Sequence, residues 1–425
     1  METTLSCNQE PGKELTRTLV WTPSASPTDD TLLPAFHRLA NAASFAHTHQ
    51  LRVIRRLGQG RQGVVLAVEQ SGPFNTVTEH ALKLHDPTPF AGPEAYRQEL
   101  ERIARQVSAL QRIHHPNLVQ CHEFVLLGDV GSVLMEFIDG LDIQHLTCLR
   151  ARANRGVPER QNSRDRTAAL FVAGTCRWQP GVAFYILRKI LRGLDVLHKA
   201  GYIHGDIKPQ NVMLDRFGTV KLVDFGRAIP SDGSTNLLLG TPLYMAPEVH
   251  RRERLTPVSD LYSAGMTILE MLRGRQVLAG AESERELLCQ KETLAKRLED
   301  YMPPGILMDE RYIAILRRLL SPDPTERFAS ATEADSGHDG VRLLHDTLLR
   351  EQLSEDYDRR LAGCLSGLLP FVAAAPDRRL AVAGQPFPVR ANRHRPSVTT
   401  PATFCRFRAD RCPGKSETST KGAGK

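Results

Sequence analysis

His204-Gly205-Asp206-Ile207-Lys208-Pro209-Gln210-Asn211, followed thirteen residues after its asparagine by Asp224-Phe225-Gly226, is the stretch that decides the reading of this chain. Three acidic or amide groups at this spacing provide one carboxylate to orient an attacking hydroxyl and two hard oxygen ligands of the kind magnesium takes. Lys208 can neutralise charge on a moving phosphoryl group. The stretch therefore reads as a phosphoryl-transfer centre, with Asp206 and Lys208 as candidate catalytic residues and Asn211 and Asp224 as candidate metal ligands. A lone aspartate after His-Gly is ordinarily a turn residue, and only the joint spacing with Asn211 and Asp224 gives Asp206 a chemical role.

Upstream, Leu57-Gly58-Gln59-Gly60-Arg61-Gln62-Gly63-Val64-Val65 places three glycines where a β-hairpin must let its backbone approach phosphate oxygens without Cβ obstruction. Strand signals at 64–68 follow it instead of a helix, which disfavours a dinucleotide fingerprint. A further strand at 80–84 carries Ala81 and Lys83. From Ala95 to Ile113 the apolar residues Leu100, Ile103, Val107 and Leu110 recur at three and four, predicting a helix. Strands are expected near 121–127 and 132–137. Ile186, Ile190, Leu194 and Leu197 mark a long amphipathic helix over 182–199, and the remainder to about Leu349 reads as mostly helical.

The bulk properties decide less. A hydrophobic fraction of 41% permits a large core, and the formal charge of +7 gathers largely in an arginine-rich stretch at 149–167 and in the tail. No aromatics interleave the arginines of that stretch, so a solvated inserted loop is expected and nucleic acid is disfavoured as a partner. The eight cysteines are scattered without a CxxC pair, as in reduced cytoplasmic proteins. No run reaches the roughly 18 apolar residues of a membrane span.

Further motifs follow in order: Gly240-Thr241-Pro242-Leu243-Tyr244-Met245-Ala246-Pro247-Glu248, then Ser259-Asp260-Leu261-Tyr262-Ser263-Ala264-Gly265, then Asp323-Pro324-Thr325-Glu326-Arg327. With HGDIKPQN in place of the usual HRDLKPEN, and VDFG after it, the chain resembles the protein kinase family over about Leu51 to Leu349. The HGD form is familiar among bacterial-type serine/threonine kinases. The resemblance implies an α+β, two-lobed fold: a small twisted antiparallel sheet plus one helix over 51–137, and a large mainly helical lobe over 138–349. It implies transfer of the γ-phosphate of Mg·ATP to a protein hydroxyl, and Lys208 favours serine or threonine as acceptor.

Residue roles carried over from the family are expectations. Leu57, Gly58, Gln59, Gly60 and Gly63 would cover the nucleotide, with Lys83 on its α- and β-phosphates. Val65, Ala81 and Met213 would sandwich the adenine, Met135 would be the gatekeeper, Glu136 and Ile138 the hinge contacts, and Asp142 a ribose partner. His204, Phe225, Gly226 and Thr241 belong to the loops around the centre. Asp260 would brace the catalytic-loop backbone, and Arg327 would pair with Glu248.

Two positions depart from the family pattern. Gln106 stands where a helix glutamate normally pairs with the strand lysine; a hydrogen bond from Lys83 to Gln106 is the expected substitute, with Glu99, two turns earlier, as the other candidate. Gly205 replaces an arginine that grips a phosphorylated activation loop in many regulated kinases, so activity independent of loop phosphorylation is expected. Gln106 keeps open a pseudokinase acting as a nucleotide-binding scaffold. The HxDxxxxN loop also leaves a small-molecule phosphotransferase, against which the Ala-Pro-Glu segment and Arg327 count. Flanking the catalytic region, a flexible leader is expected over 1–35, a short helical extension over 350–375 and a basic, disordered tail over 376–425. With no sensor domain in view, a regulatory protein partner is expected.

Overall fold

The structure is a computed structural model that describes residues 18–20, 29–46, 50–60, 62–154, 167, 169–232, 240–278, 280–281, 283–302, 309–350 and 357–373. β-branched and alternating runs build the first half. Its elements are β1 (Thr18–Val20), α1 (Asp29–Ala40), β2 (Ser44–Ala46), β3 (Gln50–Gly60), β4 (Gly63–Ser71), β5 (Val77–His85), α2 (Pro93–Leu110), β6 (Cys121–Leu127) and β7 (Val130–Glu136). The strands form one seven-stranded sheet in the order β1-β2-β3-β4-β5-β7-β6, antiparallel except for the parallel β1–β2 pair. Leu66, Leu82, Leu84, Val130 and Leu134 face a core closed on one side by Tyr96 and Leu100 of α2.

That core differs from expectation at its edge. The leader expected over 1–35 contains the first residues of α1, so two helices join the sheet. Leu32, Phe36 and Ala40 recur every four residues and are buried with Phe45 and Leu51. The stripe is narrow and interrupted by Pro34, so polar neighbours hide its period in the sequence.

The second half comprises β8 (Gly140–Asp142), α3 (Ile143–Asn154), α4 (Pro180–Lys199), β9 (Tyr202–Ile203), β10 (Val212–Asp215), β11 (Val220–Leu222), β12 (Ile229–Pro230), α5 (Pro247–His250), α6 (Pro257–Arg273), α7 (Glu284–Leu294), α8 (Glu310–Leu319), α9 (Ala331–Ser336), α10 (Val341–Arg350) and α11 (Tyr357–Ala373). Every apolar residue predicted on the inner face of α4 is fully buried. α6 is buried along nearly its whole length; a Thr256–Ser259 capping box starts it and Gly274, at φ +74°, ends it. One continuous core runs from Ile103, Val107 and Leu110 of α2 into these helices, so α2 is packed against both halves.

The arginine-rich stretch does not begin as a loop. Residues 149–154 complete α3, where Arg150 is buried and donates Nε to Thr175 O at 2.9 Å. Residues 155–166 and 168, and the tail 376–425, lie outside the described residues. α11 falls within the expected helical extension and buries Tyr357, Leu361 and Leu365. Among the described residues, no helix is long and apolar enough to cross a membrane.

Candidate active site

The loop from His204 to Asn211 is positioned chiefly by α6. Asp260, in the first turn of that helix, accepts hydrogen bonds from His204 N on Oδ2 at 2.8 Å and from Gly205 N on Oδ1 at 2.9 Å, and His198 Nε2 of α4 lies 2.9 Å from Oδ2. Burial pushes the Asp260 carboxyl up; the hydrogen bond and charge of His198, with the loop N–H groups, outweigh this and hold it below the usual range. His204 is fully buried, and burial holds its pKa down. In the neutral form Nε2–H donates to Val223 O at 3.2 Å while Nδ1 accepts from Asp206 N at 3.3 Å. Gly205 has φ +73°, and a Cβ there would lie 3.2 Å from Arg227 O, so left-handed backbone and close approach both call for glycine.

Asp206 is buried with its carboxylate engaged on both oxygens. Lys208 Nζ donates to Oδ2 at 2.6 Å and Thr241 Oγ1 donates to Oδ1 at 2.7 Å. Lys208 also reaches Thr241 Oγ1 at 3.0 Å, closing a three-residue ring. Asn211 Nδ2 donates to Asp206 O at 2.8 Å, which leaves its amide oxygen for another partner. Val223 N donates to Asn211 O at 3.0 Å, tying the residue before Asp224 to Asn211.

Asp224 itself sits at φ +65°, a left-handed conformation uncommon outside glycine and typical of strained functional sites. Lys83 Nζ donates to its Oδ1 at 2.5 Å and to Gln62 Oε1 at 2.8 Å. Burial raises the Asp224 carboxyl, but the charge and hydrogen bond of Lys83, with Lys208 behind, hold it well below the ordinary carboxylate range. Among the described residues, Asp224 Oδ2 has no hydrogen-bond partner.

The expected Lys83–Gln106 hydrogen bond does not form. Gln106 is buried and turns its amide to the backbone of the Asp-Phe-Gly turn, where Nε2 donates to Phe225 O. Glu99 does not substitute either, since it forms a two-point pair with Arg102 at 2.7 and 2.8 Å. Arg102 then donates to Gly226 O at 2.6 Å and to Gln106 Oε1 at 3.2 Å. The physical reason is complementarity: a neutral amide can donate to a carbonyl, which a carboxylate cannot, so α2 grips the turn directly instead of gripping the lysine.

The glycines of the β3–β4 hairpin separate into two kinds. A Cβ on Gly63, at φ +141°, would lie 1.8 Å from Leu84 O, so the sheet itself requires that glycine. At Gly58 and Gly60 a Cβ would meet nothing within 4 Å, so the open space before them is available to a ligand. Leu57 and Val65 are half-buried; Ala81 pairs across the sheet with Met135, and Glu136 with His80. Glu136 is in an ion pair with Lys221 at 2.8 Å, Ile138 follows it, and Met213 pairs in register with Asp142. Asp142, expected at the ribose, caps α3: Oδ1 accepts from His145 N at 2.8 Å and Oδ2 contacts His145 Nδ1.

Beyond the centre, Arg327 places a planar fork on Glu248, with N–O distances of 2.8 and 2.7 Å and both side chains buried. The protein kinase domain model matches residues 51–336. The chain belongs to the protein kinase family. It is 28% identical over 303 residues to ribosomal protein S6 kinase 2 alpha of Xenopus laevis, covering 71% of this chain and 36% of that protein. It is 30% identical over 293 residues to CBL-interacting protein kinase 4 of Oryza sativa subsp. japonica, covering 68% and 54%. To serine/threonine-protein kinase pkn2 of Myxococcus xanthus the identity is 28% over 309 residues, covering 70% and 33%. The chain thus spans between a third and about half the length of these relatives.

Five contacts of this kinase domain were not read from its motifs. Gln62 holds Lys83, Arg102 holds Gly226, His198 holds Asp260, and Arg227 donates Nη1 to Gly240 O at 2.5 Å while its Nε lies 3.9 Å from Asp206 Oδ2. Each is a tertiary pairing between separate elements, and residue spacing carries no signal for it. Lys291 is different: with Leu287 and Leu294 it occupies the buried positions of α7, so the period itself points inward at this lysine.

Proposed function

We propose that this kinase domain transfers the γ-phosphate of Mg·ATP to a serine or threonine hydroxyl of a protein. The observation that carries the reading is the Asp206–Lys208–Thr241 ring. It joins the candidate base to the segment that Glu248 and Arg327 anchor, so the site is built for an acceptor lying along that segment. Asp206 orients and accepts the proton of the hydroxyl, and Lys208 stabilises the transferring group. Lys83, in register with Val65, which itself pairs with Gly58, meets the α- and β-phosphates.

The free Oδ2 of Asp224 and the amide oxygen of Asn211 suit magnesium, which takes one or two protein oxygens together with phosphate oxygens and water. Magnesium would neutralise charge on the phosphates. Among the described residues no cluster of three or more His, Cys, Asp or Glu is arranged to hold a metal, so these two would act with the substrate. Gly205 supports activity that does not wait on loop phosphorylation, and Arg227 already ties the segment to Gly240. The nucleotide side is tested by thermal stabilisation with ATP: the increment should require magnesium and disappear in Asp224→Asn and Lys83→Met. Equal stabilisation with and without magnesium, retained in Asp224→Asn, would contradict the metal assignment.

A further inference from the structure

Beneath residues 242–245 lies a lysine that none of the roles above uses. Lys291 is fully buried on the inner face of α7, and its Nζ donates to Pro242 O and Met245 O, each at 2.5 Å, with His250 Nδ1 at 3.2 Å. Three acceptors match the three N–H bonds of an ammonium. The charge is thus caged by carbonyls, with no carboxylate paired to it. The titratable groups packed nearby are His250 and Glu248 of α5 and Glu284 of α7, and Glu248 is already held by Arg327. A buried charge without a counter-charge is expensive, and an apolar side chain of the same length would fill the space, so packing does not account for a lysine here.

What Lys291 holds is the strip next to the reacting centre. Thr241, at the start of that strip, is bonded to Asp206 and Lys208; Pro242 is exposed and Leu243 half-buried, so the upper face is open while the lysine pins the lower one. Tyr244 is fixed separately, its hydroxyl donating to Glu270 Oε2 at 2.7 Å and its carbonyl accepting from Ser263 Oγ at 2.9 Å.

We propose that Lys291 is a positioning residue for the acceptor protein: by fixing the carbonyls of Pro242 and Met245 it sets the strip along which an acceptor segment lies to bring its hydroxyl to Asp206. The proposal rests on the kinase reading. Burial lowers the Lys291 pKa to about 7. The ammonium with all three bonds is therefore present below that pH, and one N–H and the charge are lost above it. Burial and the neighbouring Lys291 charge lower the His250 pKa, which favours its neutral, accepting form beside the ammonium.

The experiment is steady-state kinetics of the full chain and of Lys291→Met with a generic basic Ser/Thr peptide, varying peptide and ATP separately. The Met variant should lose at least about tenfold in kcat/KM for the peptide, roughly the loss of one well-made buried contact, while its KM for ATP stays within about twofold. Wild-type KM for the peptide should rise between about pH 6 and pH 8, and the variant should show no such rise. A variant with unchanged peptide kinetics, or one that loses ATP and peptide affinity equally, would overturn the assignment while leaving the kinase reading intact. Burial also raises the Glu270 carboxyl, which holds Tyr244 of the same strip, to about 7. If the Met variant does not fold, a rise of peptide KM that persists in Glu270→Gln supports the assignment, and a flat wild-type profile or a rise lost in Glu270→Gln overturns it. A wild-type protein that binds ATP and phosphorylates no acceptor overturns the kinase reading and this proposal together.

Discussion

Replacing Asp260 by asparagine removes one oxygen acceptor and the charge from the group that holds the catalytic loop. In the structure the carboxylate receives His204 N and His198 on Oδ2 and Gly205 N on Oδ1. The amide of asparagine has one acceptor oxygen. Its best arrangement keeps the Oδ2 pair and turns the NH2 group against the Gly205 N–H, donor to donor. A hydrogen bond to a charged group contributes about 1.5–3 kcal/mol, and the two retained bonds lose their charge assistance, so the variant should be destabilised by about 2–4 kcal/mol. For a domain of this size, with an unfolding entropy of about 0.6 kcal/mol/K, that corresponds to a fall in Tm of roughly 3–7 °C. The larger effect should be on catalysis, because Asp206 sits two residues beyond His204, and a displacement near 1 Å costs on the order of 100-fold. The pH dependence has a definite sign. The folded Asp260 pKa is depressed, so its contribution is present above the unfolded value and is lost as pH falls through the folded one. Asp260→Asn should therefore lose that part of the acid-side decline in stability. The assay is thermal unfolding across pH alongside kcat; a variant with wild-type Tm and kcat would refute the brace.

Breaking the buried Glu248–Arg327 pair with Arg327→Met should destabilise by about 3–5 kcal/mol, read by denaturant unfolding, whereas the partly exposed Arg251–Glu292 pair should give about 0–1 kcal/mol for Arg251→Met. Gly205→Ala should cost about 1–2 kcal/mol from its left-handed backbone, measured the same way; a stabilised variant would show that the loop relaxes freely. Gln106→Glu should leave Phe225 O facing a carboxylate and lower ATP turnover. A several-fold gain in kcat/KM for ATP would mean that the lysine pairs with position 106 after all.

The parts of this fold that are local were the legible parts. Ile186, Ile190, Leu194 and Leu197 announced α4 because the helical period repeats over about three turns, and all four are fully buried. The stripe of α1 escaped because Leu32, Phe36 and Ala40 give only three positions around a proline. Site residues on the catalytic loop were readable from spacing, since Asp206, Lys208 and Asn211 sit within six residues of one another. Partnerships were not. Nothing local tells Lys83 to choose Asp224 and Gln62, or Gln106 to choose Phe225 O, because those choices depend on where α2 settles against the turn. The same holds for Asp142, whose side chain could serve a ligand or cap α3, and which the helix N-terminus claims.

The most direct test of the account is transfer of labelled γ-phosphate from Mg·ATP to the full chain and to a basic Ser/Thr protein substrate, beside Asp206→Asn. Phosphoserine or phosphothreonine in the wild type that disappears in the variant is the predicted result. A variant that transfers as well as the wild type, or a wild type that binds ATP and transfers nothing, would contradict it.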